Sequence, residues 1–106
     1  MKIRFLLTLF FLSFLSINAQ TNGSVLGKVL DNATKKPIPY ANVSLKKDNK
    51  VITGGITNEN GNFHIKEVIL DSYVVEVQFI GYKKYTKTIS LSADNKSVNL
   101  NTIYLE

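Results

Sequence analysis

The stretch Thr57-Asn58-Glu59-Asn60-Gly61-Asn62-Phe63-His64-Ile65 constrains this chain more than any other. Asn58, Asn60 and Gly61 carry turn chemistry, because Asn and Gly tolerate positive φ and Asn side chains bond nearby backbone N–H groups. Phe63 and Ile65 follow two residues apart, so they share one face of a pleated strand, and His64 points to the other. A tight turn opening directly into a half-buried strand is the unit of an all-β protein. The pattern of short strand, polar turn and short strand recurs along the chain. No stretch after residue 20 shows a helical period.

The first residues lie apart from that pattern. Met1-Lys2-Ile3-Arg4 is basic, Phe5 to Leu15 is apolar except for Thr8 and Ser13, and small Ala19 precedes Gln20. These are the three parts of a secretory signal peptide cleaved after Ala19. A bilayer-spanning helix needs about 20 apolar residues, and Asn18, Gln20, Thr21 and Asn22 end this run well short of that. The expected organisation is signal peptide 1–19, lead-in 20–23 and one domain over 24–106, with no transmembrane helix in the mature chain. A lipoprotein anchor would need a Cys at the cut, and the chain has none. Cleavage removes Lys2 and Arg4, so the formal charge falls from +5 to +3. The lysines left are scattered. Lys46, Lys47 and Lys50 bracket a turn, and Lys83, Lys84 and Lys87 follow Gly81-Tyr82, where they read as solvated turns and guarded sheet edges. No nucleic-acid partner is expected. Without Cys there are no disulfides or thiolate metal sites, so burial must stabilise a small core.

Seven strands are expected in order. Ser24 to Leu30 is the first, with apolar groups on both faces. A turn over Asp31 to Lys36 follows, and Pro37 and Pro39 keep the next stretch extended. Ala41, Val43 and Leu45 alternate with polar residues in the second strand. Lys46 to Lys50 is a polar hairpin loop. Val51 to Thr57 is the third strand, where Gly54-Gly55 suggests a bulge or a close backbone approach. The Thr57–Ile65 turn makes the third and fourth strands a hairpin candidate, with the fourth short, over Phe63 to Lys66, and a turn over Val68 to Ser72. Tyr73 to Ile80 is the fifth strand, with Tyr73, Val75, Val77 and Phe79 assigned to the core. A bend at Gly81 re-aims Tyr82. Tyr85 to Leu91 is the sixth strand, and Val98 to Leu105 the seventh, with a parity break near Asn101-Thr102 that asks for a bulge. This spacing predicts a seven-stranded antiparallel β-sandwich, with an up-and-down barrel as the alternative.

Four segments in order resemble the carboxypeptidase regulatory-like domain. Gly27-Lys28-Val29-Leu30-Asp31 resembles its opening strand, and Pro37-Ile38-Pro39-Tyr40-Ala41-Asn42-Val43-Ser44-Leu45 its second segment. Thr57 to Ile65 resembles its turn, and Tyr73 to Tyr82 its strand ending in Gly-Tyr. The resemblance spans about Gly27 to Leu105. It implies a transthyretin-like (prealbumin-like) sandwich in which Gly27, Asp31, Pro37, Asn58, Gly61, Phe63, Gly81 and Tyr82 are structural signatures. It also implies a setting. Such modules commonly follow a signal peptide at the periplasmic N-terminus of Bacteroidota outer-membrane proteins, TonB-dependent nutrient transporters above all. Asn58 stands where the family usually has Asp, which removes a charge. No plug or barrel strands follow Glu106, so the expectation is a stand-alone module or the front piece of a longer receptor.

No catalytic constellation is expected, and no cofactor. His64 is the one histidine, and a metal or general-base role needs partners it lacks. Transthyretin-like hydrolases of purine breakdown use several His and Arg, and related dioxygenases hold iron with two His and two Tyr; this chain cannot supply either set. Asp31, Glu59 and Asp71 read as turn acids. Tyr40, Tyr82, Tyr85 and Tyr104 are candidate platform residues for a sugar or peptide, or else caps on a small core. The family pattern sends Gly27 and Val29 inward, which leaves Leu26 and Leu30 as a candidate docking face on the first strand. The expected partner is an outer-membrane or periplasmic protein, with a glycan or peptide as the alternative ligand. The function expected is a non-catalytic envelope interaction module.

Overall fold

The computed structural model describes residues 22–106; the expected signal peptide, 1–19, and residues 20–21 of the expected lead-in lie outside them. Seven strands form: β1 Asn22–Asp31, β2 Asn42–Lys47, β3 Lys50–Ile56, β4 Asn62–Ile69, β5 Ser72–Gln78, β6 Tyr85–Ser90 and β7 Ser97–Leu105. They make two sheets, β4-β1-β7 and β3-β2-β5-β6. The inner faces meet in a core of Val25, Val29, Val43, Leu45, Phe63, Ile65, Tyr73, Val75, Val77, Ile103, Leu105 and their neighbours. These are the alternate residues of each strand, as two facing pleated layers require.

The expected sandwich is therefore present, with five differences. All pairs are antiparallel except β1 with β7, which is parallel. The first and last described strands lie side by side there, a pairing that a turn-by-turn reading of neighbours does not contain. Second, β3 and β4 are not a hairpin, since they belong to different sheets. The Thr57–Gly61 turn carries the chain from one layer to the other. Third, β4 runs to Ile69 instead of Lys66. A bulge sets Lys66 and Glu67 opposite Ser24, with Glu67 at φ 56°, and this returns Val68 to the core. Fourth, Phe79 is not a core residue. The ladder of β5 ends at Gln78, so Phe79 leaves the pleat before its parity can bury it, and it stays 37% exposed. β1 also starts earlier than expected, with Asn22 already paired to Ile69.

Other local expectations hold. Asp48 and Asn49 both have positive φ between paired Lys47 and Lys50, the requirement of a two-residue type I′ turn. A Cβ on Gly54 would lie 2.5 Å from the Val43 carbonyl oxygen, so the close approach is real; the bulge of β3 sits instead at Ile52. The bulge of β7 falls at Leu100–Asn101, opposite Gly27, with Asn101 at φ 57°.

The signature turn is now explicit. Asn58 Oδ1 accepts the N–H groups of Asn60 and Asn62, both at 2.9 Å, so the amide does the turn work of the usual Asp. Gly61 has φ 78°, and a Cβ there would sit 2.5 Å from the Val29 carbonyl oxygen. Its own carbonyl accepts the Val29 N–H at 2.8 Å. Thr57 is fully buried; its hydroxyl donates to the Ile38 carbonyl at 2.7 Å and accepts the Ala41 N–H at 2.8 Å.

Candidate interaction surfaces

One corner of the four-stranded sheet gathers Tyr40, Ile56, Phe79 and Ile80, four of the nine large apolar residues exposed among the described residues. The Tyr82 N–H donates to the Phe79 carbonyl at 3.1 Å, closing a turn whose third residue, Gly81, has φ 90°. Glycine is the residue that turn needs. Ile80 occupies its outer tip and is 94% exposed. The Tyr82 ring leans back on Phe79, with centroids 6.2 Å apart, and its hydroxyl donates to Asp31 Oδ2 at 2.6 Å. The turn is thereby tied to the end of β1 in the other sheet. That bond and the N–H groups of Thr34 and Ala33 hold the Asp31 carboxyl below the usual carboxylate range, and the same bond raises the Tyr82 phenol.

Tyr40 faces this turn across a recess of about 640 Å3, which Asn42, Gln78 and Lys84 also line. Its φ is 61° and the residue is 58% exposed. A bulky side chain in the left-handed region is a conformational outlier of the kind stored at binding sites. Asn42 and Gln78 are direct cross-strand partners, and Ile56 lies beyond Asn42 on β3. Ile56 is exposed too. Neither amide side chain makes a hydrogen bond within the described residues. The corner thus offers Tyr40, Ile56, Phe79 and Ile80 as apolar surface around two uncommitted amides.

The charge beside it is cationic. Glu76 is only 5% exposed on the outer face of β5, where Lys46 and Lys84 reach it at 2.9 and 3.0 Å. The two ammonium groups hold its carboxyl low. Two cations share one anion, so the trio is net positive. Asp71 is satisfied by Lys47 and likewise held low. Lys50, Lys83 and Lys87 enter no ion pair among the described residues.

The residues singled out from sequence scatter over the molecule. Leu26 and Leu30 do lie on the outer face of β1, yet both are half-buried. Leu26 sits between His64 of β4 and Asn99 of β7, at a shallow recess of about 500 Å3. His64 is exposed there, as expected, and no group of three metal-ligating side chains occurs among the described residues. Gly27 leaves room for the Phe63 ring, which a Cβ would meet at 2.8 Å. Pro37 bridges to Leu30 at the entry to Ile38, beside Gly61. Asp31 and Tyr82 meet each other, as described. Of the four tyrosines, the structure brings Tyr40 and Tyr82 to one recess. Tyr85 packs on the core, and Tyr104 lies under the Lys35 ammonium at 4.5 Å. Ile56, Ile80 and the Asn42–Gln78 pair were missed from sequence. Their signal was parity, since Ile56 is an apolar residue in the outward-facing series of β3 and Ile80 continues that of β5 into the turn.

A family profile described as the CarboxypepD_reg-like domain matches residues 25–105. No curated protein matches the chain. Among solved structures, the chain is similar to BcpA, the major pilin subunit of Bacillus cereus, at 20% identity and TM-score 0.66. That match covers 81% of this chain and 30% of the pilin. It is similar to a chain of the type II cohesin-X-dockerin complex from Acetivibrio cellulolyticus, at 24% identity and TM-score 0.60, over 76% of this chain and 53% of that one. It is also similar to Klebsiella pneumoniae 5-hydroxyisourate hydrolase, at 13% identity and TM-score 0.60, over 79% of this chain and 91% of the hydrolase. This chain thus spans less than a third of the pilin's length. At these identities the likenesses establish the shared sandwich fold and nothing of activity.

Proposed function

The chain belongs to the CarboxypepD_reg-like domain family, and on that premise we propose that it is a non-catalytic protein-interaction module of the bacterial envelope. The observation that carries this reading is the corner where Tyr40, Ile56, Phe79 and Ile80 stand exposed together beside a net-cationic trio. Contiguous apolar surface rimmed by polar groups is the usual mark of a docking site. The mechanism is geometric. A rigid sandwich fixes the Phe79–Tyr82 turn through Asp31 and holds Tyr40 in an uncommon backbone conformation, so the docking surface is formed before the partner arrives. The chain is exported by residues 1–19, cut after Ala19, and acts in the periplasm at the outer membrane. Its partner belongs to a TonB-dependent nutrient-uptake system, with this domain either standing alone or forming the front of a receptor. Mass spectrometry of the mature protein should find Gln20 at the N-terminus.

Leu26 and Leu30 are a second candidate docking face on the opposite sheet. A crosslinking pull-down from the envelope with three forms of the chain separates the two. The Tyr40→Ser/Ile80→Ser form should lose the partner and the Leu26→Thr/Leu30→Thr form should keep it. Recovery unchanged by the first pair of substitutions would remove the corner from the reading.

One observation favours an alternative, a secreted carbohydrate- or peptide-binding accessory module. The free Asn42 and Gln78 amides beside the Tyr40 and Tyr82 rings provide donors and acceptors next to aromatic faces, as small-ligand sites do. Binding on a broad glycan panel that Asn42→Ala abolishes would support it, and silence on the panel would count against it.

A further inference from the structure

The edge strands of the two sheets are β4, β7, β3 and β6, and three of them are guarded. β4 carries Lys66, Glu67 and the Glu67 bulge. β6 has Lys87 at its middle. β7 is broken by the bulge at Asn101, and the Lys83 N–H takes the Glu106 carbonyl just past its end. Charges and bulges are the devices that stop an edge from pairing with another chain. β3 has Lys50 and the bulge at Ile52, but only in its first half. From Thr53 to Thr57 the edge has no charge, no proline and no bulge.

Main-chain direction decides what that edge can accept. The Thr57 N–H donates to the Ala41 carbonyl, and the Thr57 carbonyl accepts the Tyr40 N–H, so both groups of Thr57 turn toward the β2 side. Peptide groups alternate in direction along an antiparallel strand. Gly55 and Thr53 therefore also turn to β2, and the N–H and C=O groups of Gly54 and Ile56 turn to the free edge. Side chains alternate between faces with the same period. Ile56 and Gly54, opposite Asn42 and Ser44, lie on the outer face. Gly55 and Thr53, opposite buried Val43 and Leu45, lie on the inner one.

We infer that a second copy of this chain occupies the edge, with the two β3 strands paired antiparallel about a two-fold axis at Gly55. In that register the faces and the peptide groups are both in phase. Gly54 stands opposite Ile56 of the second copy, so each exposed isoleucine covers a position without a side chain. Each such pair exchanges both of its main-chain bonds, and the two-fold axis doubles them. Gly55 meets Gly55 on the axis as a non-hydrogen-bonded pair, where antiparallel strands approach most closely. An axis at Gly54 would bring the Ile52 bulge opposite Ile56, and an axis at Ile56 would bring in Asn58 of the turn. The paired segment is uncharged, so charge enters only at its two ends. There the register carries Glu59 of one copy toward Lys50 of the other, with Asp48 farther out at the hairpin tip. Lys50 has no ion pair among the described residues, so it is free to meet that carboxylate.

The inference goes beyond the docking reading and takes from its corner only Ile56, so the purified mature protein tests it with no envelope partner present. The seam is smaller than that of a standard complex, so association is weak and is read by dilution. Diffusion and amide exchange of the 15N-labelled protein are followed by NMR from about 1 mM to about 20 μM, the span in which a weak dimer dissociates. Diffusion should quicken on dilution, and exchange at the Gly54 and Ile56 amides should quicken with it. The Gly55 amide should not respond, because β2 holds it in monomer and dimer alike. Ile56→Lys, a change at an exposed position, sets two cations beside the axis and should weaken the dimer at least about tenfold. A thermal melt of the dilute variant shows that its fold is kept. A monomer throughout the range, protection that appears at another edge, a response at Gly55 instead of Gly54 and Ile56, or a dimer unchanged by Ile56→Lys would each overturn the inference. The crosslinking result with Tyr40→Ser/Ile80→Ser speaks to the docking reading separately.

Discussion

The Tyr82 hydroxyl donates a 2.6 Å hydrogen bond to Asp31 Oδ2, joining two signature positions 51 residues apart, one in the turn after β5 and the other at the end of β1 in the opposite sheet. The bond favours ionised Asp31 and neutral Tyr82 in the folded state, which fixes the sign of two pH effects. The depressed Asp31 value contributes stability that is present above the unfolded carboxylate pKa of about 4 and is lost as pH falls through the folded value. The raised Tyr82 value contributes stability that is present below about pH 10 and is lost as pH rises through the folded value. Tyr82→Phe should move the Asp31 carboxyl titration upward, read by 13C NMR, though not all the way, because the N–H groups of Ala33 and Thr34 remain. An Asp31 titration unchanged by Tyr82→Phe would show the bond is absent in solution.

Thr57 is the buried polar clamp of the signature turn. Thr57→Val keeps its shape and strands the Ile38 carbonyl and the Ala41 N–H. Each orphaned group costs about 1–3 kcal/mol, and the pair should remove a large share of a small domain's stability. Thr57→Ser, which keeps the hydroxyl, should lose far less. Urea midpoints of the two variants make the comparison.

Two glycines should respond oppositely to alanine. Gly61→Ala demands a Cβ at positive φ and against the Val29 carbonyl, a cost of about 2 kcal/mol or more. Gly55→Ala meets only the Ile65 side chain, at an ordinary 3.7 Å. It should be neutral or stabilise by up to about 1 kcal/mol through the unfolded chain. Thermal melts of both variants suffice to check the signs.

Tyr40 separates stability from function. Tyr40→Gly relieves a left-handed backbone and removes a largely exposed ring, so stability should hold or rise by up to about 1 kcal/mol. Partner recovery should fall in the same variant. A variant that loses stability and keeps its partner would make Tyr40 a structural residue.

The strands were legible because polar and apolar residues alternate from Asn42 to Lys46 and from Asn62 to Lys66 and Tyr73, Val75 and Val77 share one apolar face, and Gly61, Gly81 and the Asn58 turn announced themselves by residue type. Layer assignment was not legible. Nothing in Thr57–Gly61 distinguishes a turn within a sheet from one that crosses between sheets, and the parallel β1–β7 pair has no local signature. Buried polar groups were also hidden. Glu76 looks like any outward strand acid until Lys46 and Lys84 cover it, and Thr57 looks like a turn residue. The proposed docking corner is assembled from three separate segments, around residues 40–42, 56 and 78–84, so its members were visible singly and its position was not.

The central claim, docking through the Ile80 corner, is tested most directly by a photo-crosslinking residue. Ile80→p-benzoylphenylalanine and, as a distant control, Asp94→p-benzoylphenylalanine are irradiated in intact cells. The account expects one dominant envelope protein from position 80, lost when Tyr40→Ser is added, and none from position 94. Identical products from both positions, or none from position 80, would contradict it.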